Sequence, residues 1–187
     1  MVRSFLAIDL NRETKNFLDH AMGHWQRLPC KIRWTRVENL HITLKFLGEI
    51  SQDTIEQLIP VLSSRLSGLS PFTLTLSGVG AFPSLRNARI LWIGFQESKP
   101  LLNLVKIVED LCAEQGIPRE ARGFHPHITV GRIKAGRSVY QKILPFFTTP
   151  VPAISMGVSK VVLYRSDLFA TGPVYSQLAH FPLEGNL

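Results

Sequence analysis

Segments rich in β-branched and aromatic residues follow one another along this chain with few helices between them. That order restricts the fold more than any other feature. Strands are predicted near residues 2–9, 31–36, 40–47, 72–80, 88–95, 126–133, 153–164 and 173–181. A parallel, doubly wound sheet would need a helical crossover between nearly every pair of strands, so the expectation is mainly antiparallel sheet and an α+β class. Helices break the run at a few places. Phe17, Leu18, Ala21, Met22, Trp25 and Leu28 repeat at helical spacing behind Asn11, a suitable N-cap. A second helix follows Ser51 with Ile55, Leu58, Ile59, Leu62, Leu66 and Leu69 on its face, and Pro60 is expected to kink it. Ser98 caps a third, with Pro100 in its first turn and Gly116 and Pro118 stopping it. A short fourth helix is predicted from Ser138 to Leu144, ended by Pro145. No linker, charge block or low-complexity segment divides the 187 residues, which read as one domain with enough length for a sizeable core.

Composition removes several classes. No apolar run approaches the roughly 18–20 residues of a membrane span. The opening Met1-Val-Arg-Ser-Phe-Leu-Ala-Ile-Asp9 meets a charge before a signal-peptide core could form, so it reads as a first strand. Cys30 and Cys112 are the only cysteines and lack metal or redox spacing, which points to a reduced, cytoplasmic protein. Lys and Arg number 21 against 14 Asp and Glu, a net charge of +7, which favours a polyanionic partner. The charge is densest in two stretches, Lys31, Arg33, Arg36 and Lys45, then Arg119, Arg122, Arg132, Lys134 and Arg137.

Beside those stretches lies a short repeat. His41-Ile-Thr-Leu44 recurs as His127-Ile-Thr-Val130, each in a strand-like segment. Strict alternation would turn His41, Thr43 and Lys45 to one face, with Ile42, Leu44 and Phe46 on the other. Likewise His127 and Thr129 would oppose Ile128 and Val130. Such a pair suits phosphoryl chemistry, where one group takes a proton from the nucleophile and another gives one to the leaving oxygen. Imidazole serves either purpose near neutrality. Threonine hydroxyls can donate to the non-bridging oxygens as charge builds there, and a nearby Lys or Arg would reinforce them. A single His-x-Thr is common by chance; two in matched apolar frames are the signal.

Other histidines carry less. His125 with His41 and His127 could be drawn as a three-histidine metal site, but no acidic residue adjoins either motif. His125 therefore reads as a substrate-side or structural residue, and no metal or other cofactor is expected. His20 and His24 have helical spacing, with Ala21 where a zinc protease needs glutamate, and belong on a solvated helix edge. His180 has no paired feature and reads as structural. Gly78-Val-Gly80 is too short to cradle a phosphate and no P-loop is present, which argues against an ATP-driven ligase.

Arg33-Trp-Thr-Arg-Val-Glu-Asn-Leu-His-Ile-Thr-Leu-Lys-Phe-Leu-Gly-Glu49 and Phe124-His-Pro-His-Ile-Thr-Val-Gly-Arg132 resemble the two signature segments of the two-histidine phosphoesterases. More narrowly they resemble the RNA 2′,3′-cyclic phosphodiesterases, also called 2′-5′ RNA ligases. Arg3-Ser-Phe-Leu-Ala-Ile-Asp9, Leu163-Tyr-Arg-Ser166 and Gly172-Pro-Val-Tyr175 extend the resemblance along nearly the whole chain. It implies one bilobal domain over 1–187: two pseudo-symmetric lobes, each a mainly antiparallel sheet with outer helices, around a central cleft. It implies His41 as general acid toward the leaving oxygen and His127 as general base on water, with Thr43 and Thr129 binding the phosphate. The implied substrate is RNA ended by a 2′,3′-cyclic phosphate, opened to a 2′-phosphate without a metal, with reversible ATP-independent 2′-5′ RNA ligation as a second activity the resemblance allows. No membrane or protein partner is implied. The family commonly has arginine at the position of Arg132, yet strict alternation puts that residue opposite His127 unless a bulge intervenes. The alternative is a non-catalytic RNA-binding module that stacks bases on Trp34, Phe46 and Phe124. Such a module has no use for the paired histidines and would keep its RNA affinity without them.

Overall fold

The computed structural model describes residues 1–134 and 139–185. Its strands are β1 (Val2–Asp9), β2 (Ile32–Trp34), β3 (His41–Ile50), β4 (Phe72–Phe82), β5 (Ile90–Phe95), β6 (His127–Ile133), β7 (Ser155–Val158), β8 (Lys160–Phe169) and β9 (Gly172–Pro182). The helices are α1 (Arg12–Trp25), α2 (Gln52–Leu66), α3 (Lys99–Glu114) and α4 (Tyr140–Phe147), and a 3₁₀ turn at Val37–Asn39 precedes β3. The strands form one sheet in the order β7-β4-β5-β6-β3-β1-β8-β9, every pairing antiparallel, with β2 on the free part of β6. The α+β class and the antiparallel sheet are as the sequence predicts.

β3 and β6 sit in the middle of that order and touch at one register position, Ile42 opposite Ile128. Two half-sheets therefore meet along the two strands that carry the repeat. Both isoleucines are fully buried; burial of a side chain of this size stabilises by roughly 1.5–3 kcal/mol. The helices cover that same apolar face. α2 and α3 pack on each other, α3 against β3 and α2 against β9. Over the other half, Trp25 of α1 stacks on Trp34 of β2 and meets Phe146 of α4 edge-on. Each half is thus covered by a helix whose preceding strand belongs to the other half.

The predicted caps hold their helices. The Asn11 side chain accepts from the Thr14 amide at 2.9 Å and that of Ser51 from Thr54 at 3.0 Å. Ser98 does the same for Leu101 at 3.4 Å. α2 runs on through Pro60, whose exposed position leaves the unpaired carbonyl one turn back to water. α4 likewise carries Pro145 inside it and ends at Phe147, rather than stopping at the proline. The predicted start of that helix, Ser138, lies outside the described residues, as does Arg137. The single strand expected over 153–164 is two strands, because the chain leaves β4 after Val158 and, from Lys160, pairs with β9 and then, over Val162–Arg165, with β1. No helix among the described residues is long and apolar enough to cross a membrane.

Candidate active site

Since Ile42 and Ile128 face the helices, the residues flanking them face the opposite side of the sheet. This brings His41, Thr43, His127 and Thr129 together in the trough where the half-sheets meet. β1 supports the first pair, with Asp9 opposite His41 and Ala7 opposite Thr43. β5 supports the second, with Gly94 opposite His127 and Trp92 opposite Thr129. Both imidazoles are fixed in the same way. His41 Nδ1 donates to the Asn39 carbonyl at 2.7 Å, and His127 Nδ1 donates to the His125 carbonyl at 2.7 Å. A carbonyl can only accept, so each ring carries its proton on Nδ1 and leaves Nε2 for chemistry. His41 Nε2 lies 3.0 Å from Thr43 Oγ1, a pair poised around the same small volume.

Alternation fails beyond the threonines, and it fails in both strands at the same step. The register slips between Leu6/Ala7 against β3 and between Leu91/Trp92 against β6, which places a bulge after Thr43 and after Thr129. The first bulge turns Lys45 inward. It is 4% exposed, and its Nζ donates to Glu109 Oε2 of α3 at 2.7 Å and to the Pro118 carbonyl at 2.8 Å. The expectation that Lys45 shares a face with His41 is therefore corrected, and Lys45 is not available to a bound polyanion. Phe46 takes the trough side instead, 59% exposed. The second bulge buries Gly131 and brings Arg132 round to the face of His127 and Thr129. Only glycine fits there, because a Cβ would lie 2.8 Å from Ile32 Cγ2 and 3.0 Å from the Trp34 ring.

The two histidines differ in enclosure, His41 being the more deeply set, and in the charges around them. Burial pulls His41 below the ordinary imidazole value; the Asn39 bond and the Asp9 carboxylate oppose this, while His127 and Arg132 add to it. Burial likewise lowers His127, and the positive neighbours His125 and Arg132 act with it against the His125 carbonyl bond. Asp9 is held in place by the Tyr164 hydroxyl, which donates to it at 2.7 Å and whose own ionisation is pushed up by burial and this bond. Aromatic rings wall both imidazoles. Phe5 stacks on His41 at 4.8 Å and Tyr175 meets it edge-on at 5.4 Å. Phe82 meets His127 edge-on at 5.0 Å, and Trp92 packs against His125 at 4.7 Å.

A sequence profile described as LigT like Phosphoesterase matches the chain twice, over residues 8–92 and 93–175, one His-x-Thr in each half. The chain belongs to this family. Among curated relatives of these LigT-like phosphoesterases, the RNA 2′,3′-cyclic phosphodiesterase of Thermotoga maritima is 31% identical, covering 100% of this chain and 98% of that protein. The Escherichia coli enzyme of the same name is 35% identical over 91% of this chain and 89% of its own. Among solved structures, a Thermus thermophilus protein superposes with a TM-score of 0.82 at 28% identity, covering 99% of this chain and all of that one. E. coli LigT, crystallised with 3′-AMP, gives 0.79 at 29%, covering 97% and 98%.

Within this LigT-like framework the remaining candidates separate cleanly. His20 and His24 lie exposed on α1, 3.3 Å apart through their Nε2 atoms. His180 is exposed on β9 beside Gln177. His125 joins the aromatic wall, with its ring 6.4 Å from that of His127. Among the described residues no group of three or more His, Cys, Asp or Glu side chains converges as a metal site would require. Arg119 is engaged by Asp110 on the outer surface. Sequence alternation missed Arg132, and nothing local announced Phe5, Phe82, Trp92 or Tyr175 as walls. The glycine at 131 was the one available sign of a bulge.

Proposed function

We propose that this protein is a hydrolase of RNA 2′,3′-cyclic phosphate ends, working as one bilobal domain and leaving a 2′-phosphate. The observation that carries the proposal is the pair of imidazoles, one from each half-sheet, both tied through Nδ1 and both presenting Nε2 to one trough. A cyclic phosphodiester seated there meets His127 on the side of the attacking water and His41 on the side of the leaving oxygen. The charge asymmetry supports that assignment. His41 has the Asp9 carboxylate opposite it, which favours the protonated ring that an acid needs and opposes the lowering by burial. At His127 no carboxylate among the described residues opposes burial, and Arg132 favours the neutral ring that a base needs. Thr43 and Thr129 donate to the non-bridging oxygens, where negative charge grows in the transition state. Every step is a proton transfer or a hydrogen bond made by these side chains, so the proposed reaction needs no metal. Ligation would use the same groups with a 5′-hydroxyl in place of water: its oxygen attacks the cyclic phosphate as His127 takes its proton, the 3′-oxygen leaves with a proton from His41, and a 2′-5′ phosphodiester forms. The relatives named above as RNA 2′,3′-cyclic phosphodiesterases support the substrate class. The two unpaired cysteines suit a cytoplasmic setting.

An oligonucleotide ended by a 2′,3′-cyclic phosphate tests this directly, with products resolved by terminus. His41→Ala and His127→Ala should each lose about 10²–10⁴-fold in rate, the usual contribution of a general acid or base. Full activity is expected in excess chelator. Activity lost in chelator and recovered with zinc would overturn the mechanism. An RNA-binding module would show no turnover by the parent protein and unchanged affinity in both variants.

A further inference from the structure

The second bulge has an effect beyond the reacting phosphate. Arg132 is directly opposite Arg33 of β2 in the sheet register, and both are exposed. Their neighbours fix the face they use. Trp34 and Gly131 form the next opposed pair, and Trp34 stacks on Trp25 under the helices. The two arginines therefore face the trough. Like charges directly opposite one another destabilise a strand pair. Here nothing neutralises them: β2 and β6 contain no acidic residue, and neither arginine forms an ion pair among the described residues. Such an arrangement fits an anion that arrives from outside.

The β8–β9 hairpin forms the other wall. Its Gly172 comes so near Arg33 that a Cβ added there would lie 3.6 Å from Arg33 Nη2. The Asn39 side chain donates to the Pro173 carbonyl at 3.0 Å, while the Asn39 backbone carbonyl holds His41. Tyr175, two residues along the hairpin, touches the His41 ring. The histidines, Thr129, Arg132, Arg33 and the hairpin tip thus lie in sequence along one side of the sheet. Same-face strand positions are about 6.5–7 Å apart, and successive phosphates of an extended single strand are separated by a comparable step. The chemistry of two guanidiniums is that of a phosphodiester, which each can grip with paired N–H donors.

We infer that Arg33, with Arg132, binds the phosphodiester one nucleotide upstream of the terminal cyclic phosphate. The inference rests on the proposed hydrolase function and narrows its substrate to oligoribonucleotides over mononucleotides. Arg33 is a binding residue for the chain, outside the reacting atoms.

The test compares adenosine 2′,3′-cyclic phosphate with the dinucleotide ApA carrying the same terminus. The parent protein should favour the dinucleotide in kcat/KM. Arg33→Ala should reduce that preference about tenfold, mostly through KM, as loss of a charge-assisted hydrogen bond does. Arg33→Lys should restore part of it, and Lys106→Ala, an exposed charge removed on α3, should leave the ratio alone. Replacing the upstream phosphodiester by an uncharged methylphosphonate should cost the parent at least as much as Arg33→Ala does, and should cost that variant, which keeps only Arg132, less than it costs the parent. An equal loss on both substrates, or an unmoved ratio, overturns the inference while the hydrolase function stands. Turnover of neither substrate by the parent overturns both.

Discussion

His41 and His127 share a tautomer and a backbone tether, and the charges nearby divide their labour. Asp9 faces His41, and no carboxylate faces His127. The active state needs His127 neutral and His41 protonated, which makes the rate bell-shaped in pH, reporting the pair's apparent pKa values. Burial lowers both rings, so the bell should be displaced to the acid side of the ordinary imidazole value of about 6.5. Asp9→Asn removes an influence that raises His41 and has no counterpart at His127. The alkaline limb of kcat/KM, set by loss of the proton from the acid, should therefore move to lower pH. The acid limb, set by the base, should move little. A shift of the acid limb alone would reverse the two assignments.

At the scale of strands and helices, the bulges decide which side chains reach the trough. The β3 bulge is pinned from behind by the buried pair of Lys45 with Glu109 of α3, the latter also accepting from the Glu120 amide at 3.2 Å. Removing one partner of a buried pair leaves the other charge uncompensated, which costs about 3–5 kcal/mol. Lys45→Met should accordingly destabilise by about 3 kcal/mol in urea unfolding. Arg119→Ala, which breaks an exposed pair with Asp110, should cost no more than about 1 kcal/mol. Equal effects would mean that the Lys45 bonds contribute nothing beyond a surface pair. The same bulges mark the limit of what the sequence made legible. Period-two alternation placed His41, Thr43, His127 and Thr129 on one face, because the apolar partners Ile42 and Ile128 demand burial. It could not place Lys45, Phe46 or Arg132, since one extra residue in a strand alters no composition and reverses every later side chain. Leu44-Lys45 contains no turn residue to betray the slip. The wall of Phe5, Phe82, Trp92 and Tyr175 was hidden for another reason: it is assembled from four strands, of which only β4 and β5 adjoin in the chain.

For the whole molecule, the decisive feature is that two half-sheets, each with its own histidine, are locked by one antiparallel register position. Ile42 opposite Ile128 fixes how the two strands cross, and the helices behind them hold both halves to a single buried face. The imidazoles therefore approach a bound phosphate from different halves and cannot exchange places without separating the sheet. A 2′,3′-cyclic phosphate has two oxygens that could leave. In-line attack requires the water to enter opposite the one that departs, so a fixed base and a fixed acid select one of them. With His127 on the water and His41 on the leaving group, the proposed orientation expels the 3′-oxygen and leaves a 2′-phosphate. Digestion of a cyclic-phosphate oligonucleotide, followed by separation of the 2′- and 3′-phosphate ends, should give the 2′-phosphate alone. A mixture would mean that the phosphate turns over in the trough, against the rigidity of the two tethered rings. A pure 3′-phosphate product would keep the rigidity and seat the ribose the other way round, placing the 2′-oxygen instead of the 3′-oxygen against His41.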